Sequence, residues 1–368
     1  MKVIPLALLI ISLLISCSGN KKPEKVSIVG TWSVVEYPGE SFYIPMEYSG
    51  PFGLTISEDS IEFLSGFTNS KKNPTTGKHQ FYYLNNVFPY KIEADSILIA
   101  DSLAGPWRIE KLHSDTLILT DKNANLIKLQ RIQFKQHENF GYDQIIFSRS
   151  GCFGPCPNYD ISIKSTNEVL YRGSNFVSKI GIYKANLDHK QTRTIFSKFN
   201  RVDITQLSGD YVADHTDDEA VSTTFLKNGE IVKTISDYGR VGPKELVWTY
   251  VSMEYLLDSL IAERTIESWF PTITFYSFSN DSVKLQLEQS ESFLLWGELR
   301  QSTITDTDFP SDYEVNFGQS TKVKDDMIQQ IESDGQYFRI QVQGKQPITY
   351  DLGYNFVKRH FDRSDFEE

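Results

Sequence analysis

The sequence predicts a mainly β chain with α+β character. It places an antiparallel barrel or sandwich first, a central α+β domain next and a β-rich C-terminal domain last. Three observations carry this. Short runs of alternating apolar and polar residues recur between Gly, Asn, Asp and Pro signals. Aromatic residues form 13% of the 368, with 19 Tyr and 24 Phe against 5 Trp, a load that favours strands. Broad helical stripes are concentrated in the middle of the chain.

In chain order, strands are expected at Trp32 to Tyr37, Leu54 to Ile56, Ser60 to Leu64, Phe81 to Leu84, Tyr90 to Ile92, Ser96 to Ala100, Trp107 to Leu112, Thr116 to Thr120 and Leu126 to Gln130. No helical period interrupts them, and the first domain is drawn over residues 28–134. The second, over 140–264, opens with strands at Gln144 to Arg149, Asn158 to Ser165, Glu168 to Arg172 and Ile180 to Ala185. A helix is expected at Gln191 to Val202, where Ile195, Phe199 and Val202 share a face. Asn228-Gly229 between two alternating runs signals a hairpin. Pro243 then starts a helix over Lys244 to Arg264 with a broad apolar face. The third domain, 266–368, alternates at Thr272 to Phe278, Ser282 to Glu288 and Ser292 to Arg300. A helix at Val323 to Ser333 and strands at Gln336 to Val342 and Pro347 to Asp351 complete it.

Composition narrows function. A formal charge of −11 opposes use of phosphate backbones, so nucleic acid is not an expected partner. Apolar residues at 40% support substantial cores, and 368 residues at roughly 100 to 200 per domain predict two or three domains.

The N-terminus predicts a compartment. Lys2 precedes an apolar run from Val3 to Ile15, shorter than the roughly 20 residues that span a bilayer, so it reads as a cleaved signal over residues 1–16. Leu14-Ile15-Ser16-Cys17 resembles the attachment box of bacterial lipoproteins, which implies that Cys17 is acylated. Residues 17–27 then form a polar tether. The membrane is thus an expected partner through acyl chains, each buried methylene adding about 0.8 kcal/mol. Asn20, Lys21 and Lys22 lack the acidic run associated with surface export in Bacteroidota lipoproteins, so the expected place is the outer membrane, facing the periplasm.

Two further resemblances follow. Ile28-Val29-Gly30-Thr31-Trp32, with Trp107 to Leu112 and Asp115 to Leu119, is similar to the lipocalin-like domains of secreted Bacteroidota proteins. This implies an eight-stranded barrel over about residues 26–134, Trp32 closing one end and space for at most one small ligand. Ser150-Gly151-Cys152-Phe153-Gly154-Pro155-Cys156-Pro157-Asn158-Tyr159, with Tyr171-Arg172-Gly173, Thr216-Asp217 and Lys227-Asn228-Gly229, resembles a domain of unknown function recurrent in Bacteroidota lipoproteins, covering about residues 140–262. That resemblance implies no activity.

Cys152 and Cys156 are the pair left after lipidation, and an exported setting favours oxidation. An extended strand would hold them about 13 Å apart against a limit of about 7 Å, so a bridge needs the Gly154-Pro155 turn. A structural disulfide leads; buried thiols, metal ligands and a redox or nucleophilic role stay open. Asp214-His215-Thr216-Asp217-Asp218-Glu219 reads as a solvated turn, with calcium or a histidine base as alternatives, and lacks the spacing of an EF-hand. His79, His113, His137, His189 and His360 are scattered. Phosphate-cradling, dinucleotide and hydrolase-elbow motifs are absent, and no cofactor, metal or catalytic residue is assigned. The expectation is a non-enzymatic envelope lipoprotein that binds a small apolar ligand or a protein partner; the alternative is an envelope hydrolase with carboxylates that meet only in space.

Overall fold

The computed structural model describes residues 26–36, 51–74, 77–100, 106–134, 141–260, 263–264, 270–282, 284–319 and 327–361. Cys17, the signal and most of the tether lie outside them, as does His137. The chain is mainly β. Its N-terminal strands are β1 (Gly30–Glu36), β2 (Gly53–Ile56), β3 (Ser60–Phe63), β4 (Phe67–Lys72), β5 (His79–Leu84), β6 (Val87–Glu93), β7 (Ser96–Ile99), β8 (Trp107–Leu112), β9 (Thr116–Thr120) and β10 (Leu126–Ile132). Eight of them close into an antiparallel barrel in the order β1-β10-β9-β8-β7-β6-β3-β2, while β4 and β5 leave it as a two-stranded ribbon. Alternation explains the barrel: Trp32, Leu54, Ile56, Ile61, Phe63, Ile97, Trp107, Leu117, Leu119, Ile127 and Leu129 are all buried and pack as one apolar cluster. Trp32 donates to Ile28 O at 2.8 Å beneath the Arg131 guanidinium, 4.1 Å above its ring.

The central unit contains β11 (Gln144–Arg149), β12 (Asn158–Lys164), β13 (Glu168–Asn175), β14 (Gly181–Asn186), α1 (His189–Phe199), β15 (Asp210–Val212), β16 (Ala220–Lys227), β17 (Glu230–Tyr238), α2 (Lys244–Ser259) and β18 (Glu263–Arg264). Its sheet runs β15-β17-β16-β11-β12-β13-β14-β18. The hairpin at Asn228-Gly229 forms as expected, both residues having positive φ (52° and 76°), the requirement of a type I′ turn. Asp188 caps α1 through a reciprocal box with Gln191. Helix α2 ends at Ser259 rather than Arg264, because Glu263 and Arg264 pair with Lys184 and Tyr183 of β14.

The last unit holds β19 (Ile273–Ser279), β20 (Lys284–Gln286), α3 (Gln289–Leu299), β21 (Thr303–Thr305), β22 (Tyr313–Gln319), β23 (Ile328–Ser333), β24 (Tyr337–Val342), β25 (Ile348–Asp351) and α4 (Phe356–Phe361), with sheet order β20-β19-β22-β23-β24-β25-β21. Two expectations are corrected here. Ser292 to Leu299 of the expected strand Ser292 to Arg300 is helix, and Arg300 caps it. Helix α3 is enclosed between the central and C-terminal sheets, so Phe293, Leu294, Leu295, Trp296 and Leu299 are all buried together with Ser290, Glu291 and Ser292, and a helix covered on every side shows no amphipathic period. Conversely, Ile328 to Ser333 of the expected helix is strand. A bulge between Ile328 and Gln330 turns Ile328 and Ile331 to the same core, and that three-residue interval imitates helical spacing.

Layers follow from alternation along β11. Ile145 and Phe147 face α1 and α2 with Phe196, Phe199, Leu246 and Tyr250; Ile146 faces α3. A sheet covered on both faces reads as a continuous apolar run, which is why Gln144–Arg149 is buried almost throughout. Helix α2 also grips the barrel. Trp248 donates to Pro51 O at 2.7 Å, and a Cβ on Gly53 would stand 2.3 Å from its ring. Tyr255 Oη accepts from Phe67 N at 2.7 Å and donates to Phe67 O.

Candidate functional site

Four charged side chains meet where β11 ends, β16 begins and α2 passes. Arg149 closes β11, Glu219 precedes β16, and Glu254 lies on α2. Arg240 follows β17 through two left-handed residues, Gly239 (φ 77°) and Arg240 itself (φ 55°), which turn its side chain back under the sheet. All four are buried. Arg149 pairs with Glu219 through Nε and donates from Nη1 to Glu254 at 2.9 Å and to Tyr83 Oη of β5 at 3.0 Å. Arg240 pairs with Glu254 through Nη2. Its Nε lies 2.6 Å from Glu219 Oε1 but off the hydrogen-bond direction.

Each carboxylate therefore faces two guanidinium groups. Burial alone would raise the Glu219 pKa, but Arg240 and Arg149 outweigh it and hold the group below its ordinary range. Burial opposes the Arg149 charge, and Glu219 with Glu254 more than reverses that, keeping it protonated. Tyr83 and Tyr159 beside the cluster are pushed up, chiefly by burial. A general acid needs a pKa near working pH; Glu219 is displaced the other way. The cluster ties sheet, helix and barrel ribbon together.

The segment leaving Arg149 is anchored at Ser150. Ser150 N donates to Ala220 O at 2.9 Å and its Oγ accepts from Ala220 N at 2.8 Å. Cys152 and Cys156 are joined as a disulfide with Cα atoms 5.6 Å apart, so Gly154-Pro155 folds the loop back as the spacing required. At its tip Phe153 is 88% exposed, while its N–H donates to Asp217 O at 3.2 Å. The loop projects a large aromatic ring into water from a fixed backbone.

Asp217 belongs to the acidic run, which divides by burial. Glu219 enters the ion-pair cluster, whereas Asp214, His215, Thr216 and Asp217 are exposed. His215 Nε2 lies 3.0 Å from Asp218 Oδ2, and that bond raises the His215 pKa. Burial raises Asp218, but its bond with His215 prevails and leaves it lowered. The other described histidines stand apart: His79 meets Ser70, His189 meets Asn167, His113 is exposed, and buried His360 accepts from Ile231 N. Among the described residues, no group of three or more His, Cys, Asp and Glu is arranged to hold a metal ion.

On the opposite face of the sheet, Asp160 binds Arg172 at 2.8 Å and accepts from Ser148 and Gln289. Arg172 also donates to Ile273 O and stacks 4.7 Å over Trp296, fastening the two sheets. Beyond this pair a groove of about 960 Å³ runs between β11 to β14 and α3, with Gln144, Ser162, Lys164, Leu170, Leu294 and Gln301 in its walls.

Sequence reading identified the disulfide cysteines and the exposed turn Asp214 to Asp217, but it placed Glu219 in that same solvated turn, whereas Glu219 is buried in the ion-pair cluster. It missed Arg149, Arg240, Glu254 and Tyr83, which lie far apart in the chain; the available signal was a charged residue ending the apolar run Ile145 to Phe147. Neither a curated protein sequence nor a solved structure matches the chain. The central unit, by contrast, is recognisable: residues 143–257 match the family described as a domain of unknown function, DUF6438.

Proposed function

We propose that the chain is a lipid-anchored cell-envelope protein that binds a protein partner and carries out no reaction of its own, with the Cys152–Cys156 loop as its recognition surface. Phe153 carries the reading. Single exposed apolar residues are common and by themselves mean little. This one is held between two disulfide-bonded cysteines and by its own backbone bond to Asp217, in a loop that Ser150 ties to Ala220, so little ordering remains to be lost on binding. Covering such a side chain is worth about 2 kcal/mol. The signal-like N-terminus, the Cys17 box and the likeness to Bacteroidota lipoproteins support the envelope location, as does an oxidised cysteine pair.

The apolar side chains clustered inside the barrel favour a protein partner over an apolar ligand held there. If a small molecule is the ligand instead, the groove beside α3 is the space suited to it. The doubly paired Glu219 and Glu254 disfavour a hydrolase centred on that cluster.

Native mass spectrometry of the full-length protein, extracted gently from its host envelope, tests the proposal. A stoichiometric protein companion that disappears in Phe153→Ser is expected. A retained small mass with no companion, or a companion indifferent to Phe153→Ser, would overturn it.

A further inference from the structure

The central sheet ends beside the acidic turn in β15, whose outer edge is paired with no other strand among the described residues. Strand β15 runs parallel to β17, pairing Asp210, Tyr211 and Val212 with Ser236, Asp237 and Tyr238. Gly209 O accepts from Ser236 N at 2.8 Å and Ala213 N donates to Tyr238 O at 3.0 Å, so residues 209 and 213 point inward. Backbone groups alternate sides along a strand; Tyr211 therefore also points inward, and Asp210 and Val212 point outward. Ser208 Oγ takes the Asp210 N–H at 3.2 Å. The Asp210 carbonyl and both backbone groups of Val212 are left facing away from the sheet, and Val212 is 68% exposed. An open edge of this kind is a template for another chain.

Charge selects which chain. Asp210 is exposed on β15, and Asp214 and Asp217 are exposed in the turn that follows it, with Asp218 half-buried and His215 as the counterweight. A second copy would bring the same carboxylates face to face, so self-pairing is opposed, whereas a cationic segment is drawn in. Phe153 reaches the same turn through its bond to Asp217 O. We propose that β15 accepts an extended cationic segment of a partner protein as one further strand of the central sheet, adjoining the Phe153 contact. The inference rests on the partner-binding function proposed above and names the chemistry of that partner.

Residue-resolved amide exchange on the full chain, titrated with a peptide of alternating lysine and valine, tests it. Protection of the Val212 amide is expected on adding peptide. The matching glutamate–valine peptide should give none. Val212→Pro removes only the outward donor, a change tolerated on strand edges, and should weaken the lysine peptide at least about tenfold, or 1.4 kcal/mol. Val212→Ala should bind normally. Binding that leaves Val212 unprotected, or equal binding of the acidic peptide, would overturn the inference, and the exchange readout on the unaltered chain holds even if Val212→Pro misfolds. A Phe153-dependent companion without Val212 protection would sink this inference alone; Val212 protection without any companion would sink the function proposed above and leave the edge site standing.

Discussion

Arg149 and Tyr83 join the central sheet to the barrel ribbon: one guanidinium nitrogen donates both to Tyr83 Oη at 3.0 Å and to Glu254 at 2.9 Å. Tyr83→Phe leaves that nitrogen its carboxylate alone and should cost about 1–2 kcal/mol. Arg149→Met leaves Glu219 and Glu254 sharing Arg240 and should cost about 3–5 kcal/mol. Urea unfolding read separately by tryptophan fluorescence and far-ultraviolet dichroism checks both, and equal small losses would contradict the ranking.

Glu219 makes stability acid-sensitive. Its folded pKa lies below the ordinary 4.5, so the folded state binds fewer protons than the unfolded one as pH falls past that value. Its contribution is complete above about 4.5 and is lost as pH drops through the folded pKa. Urea midpoints followed downward from neutral pH should decline in that window, and less steeply in Glu219→Gln.

Glu291 on α3 acts in the opposite sense. Enclosed between the sheets, it is pushed up to about 7 by burial. The folded state then holds a proton that the unfolded state releases, so stability falls as pH rises from about 4.5 to about 7 and then levels. Glu291→Gln should remove this loss, making the protein more stable above pH 7 by up to about 3 kcal/mol. A stability profile unchanged by the substitution would refute the buried-acid account.

The disulfide and the ring it presents separate stability from recognition. In the chain-entropy view, opening so short a loop by Cys152→Ser with Cys156→Ser should cost about 2 kcal/mol. Phe153→Ser, at an exposed position, should change thermal stability by less than about 0.5 kcal/mol while removing the companion. A large stability loss from Phe153→Ser would mean that the ring is packed rather than presented.

Much of the fold was legible because local rules suffice for it. Period-two alternation marked most barrel strands, Asn228-Gly229 marked its hairpin, and the stripe through Ile195 and Phe199 marked α1. Legibility failed where burial comes from two sides or the backbone slips: α3 shows no polar face between its sheets, and the bulge in β23 gives a strand the spacing of a helix. The edge strand Asp210–Val212 is too short to register as a pattern.

The site divides the same way. Sequence by itself determined local features: the four-residue spacing of Cys152 and Cys156 lets a Gly154-Pro155 turn bring them together, though not their oxidation, and the run Asp214 to Asp217 makes an exposed turn, though not the burial of Glu219. Only tertiary structure decided that Arg149, Glu219, Arg240, Glu254 and Tyr83 share one buried cluster, that Phe153 faces water and that β15 ends a sheet. Ion pairing across long chain separations and the exposure of a sheet edge depend on which elements become neighbours, and no local period encodes that.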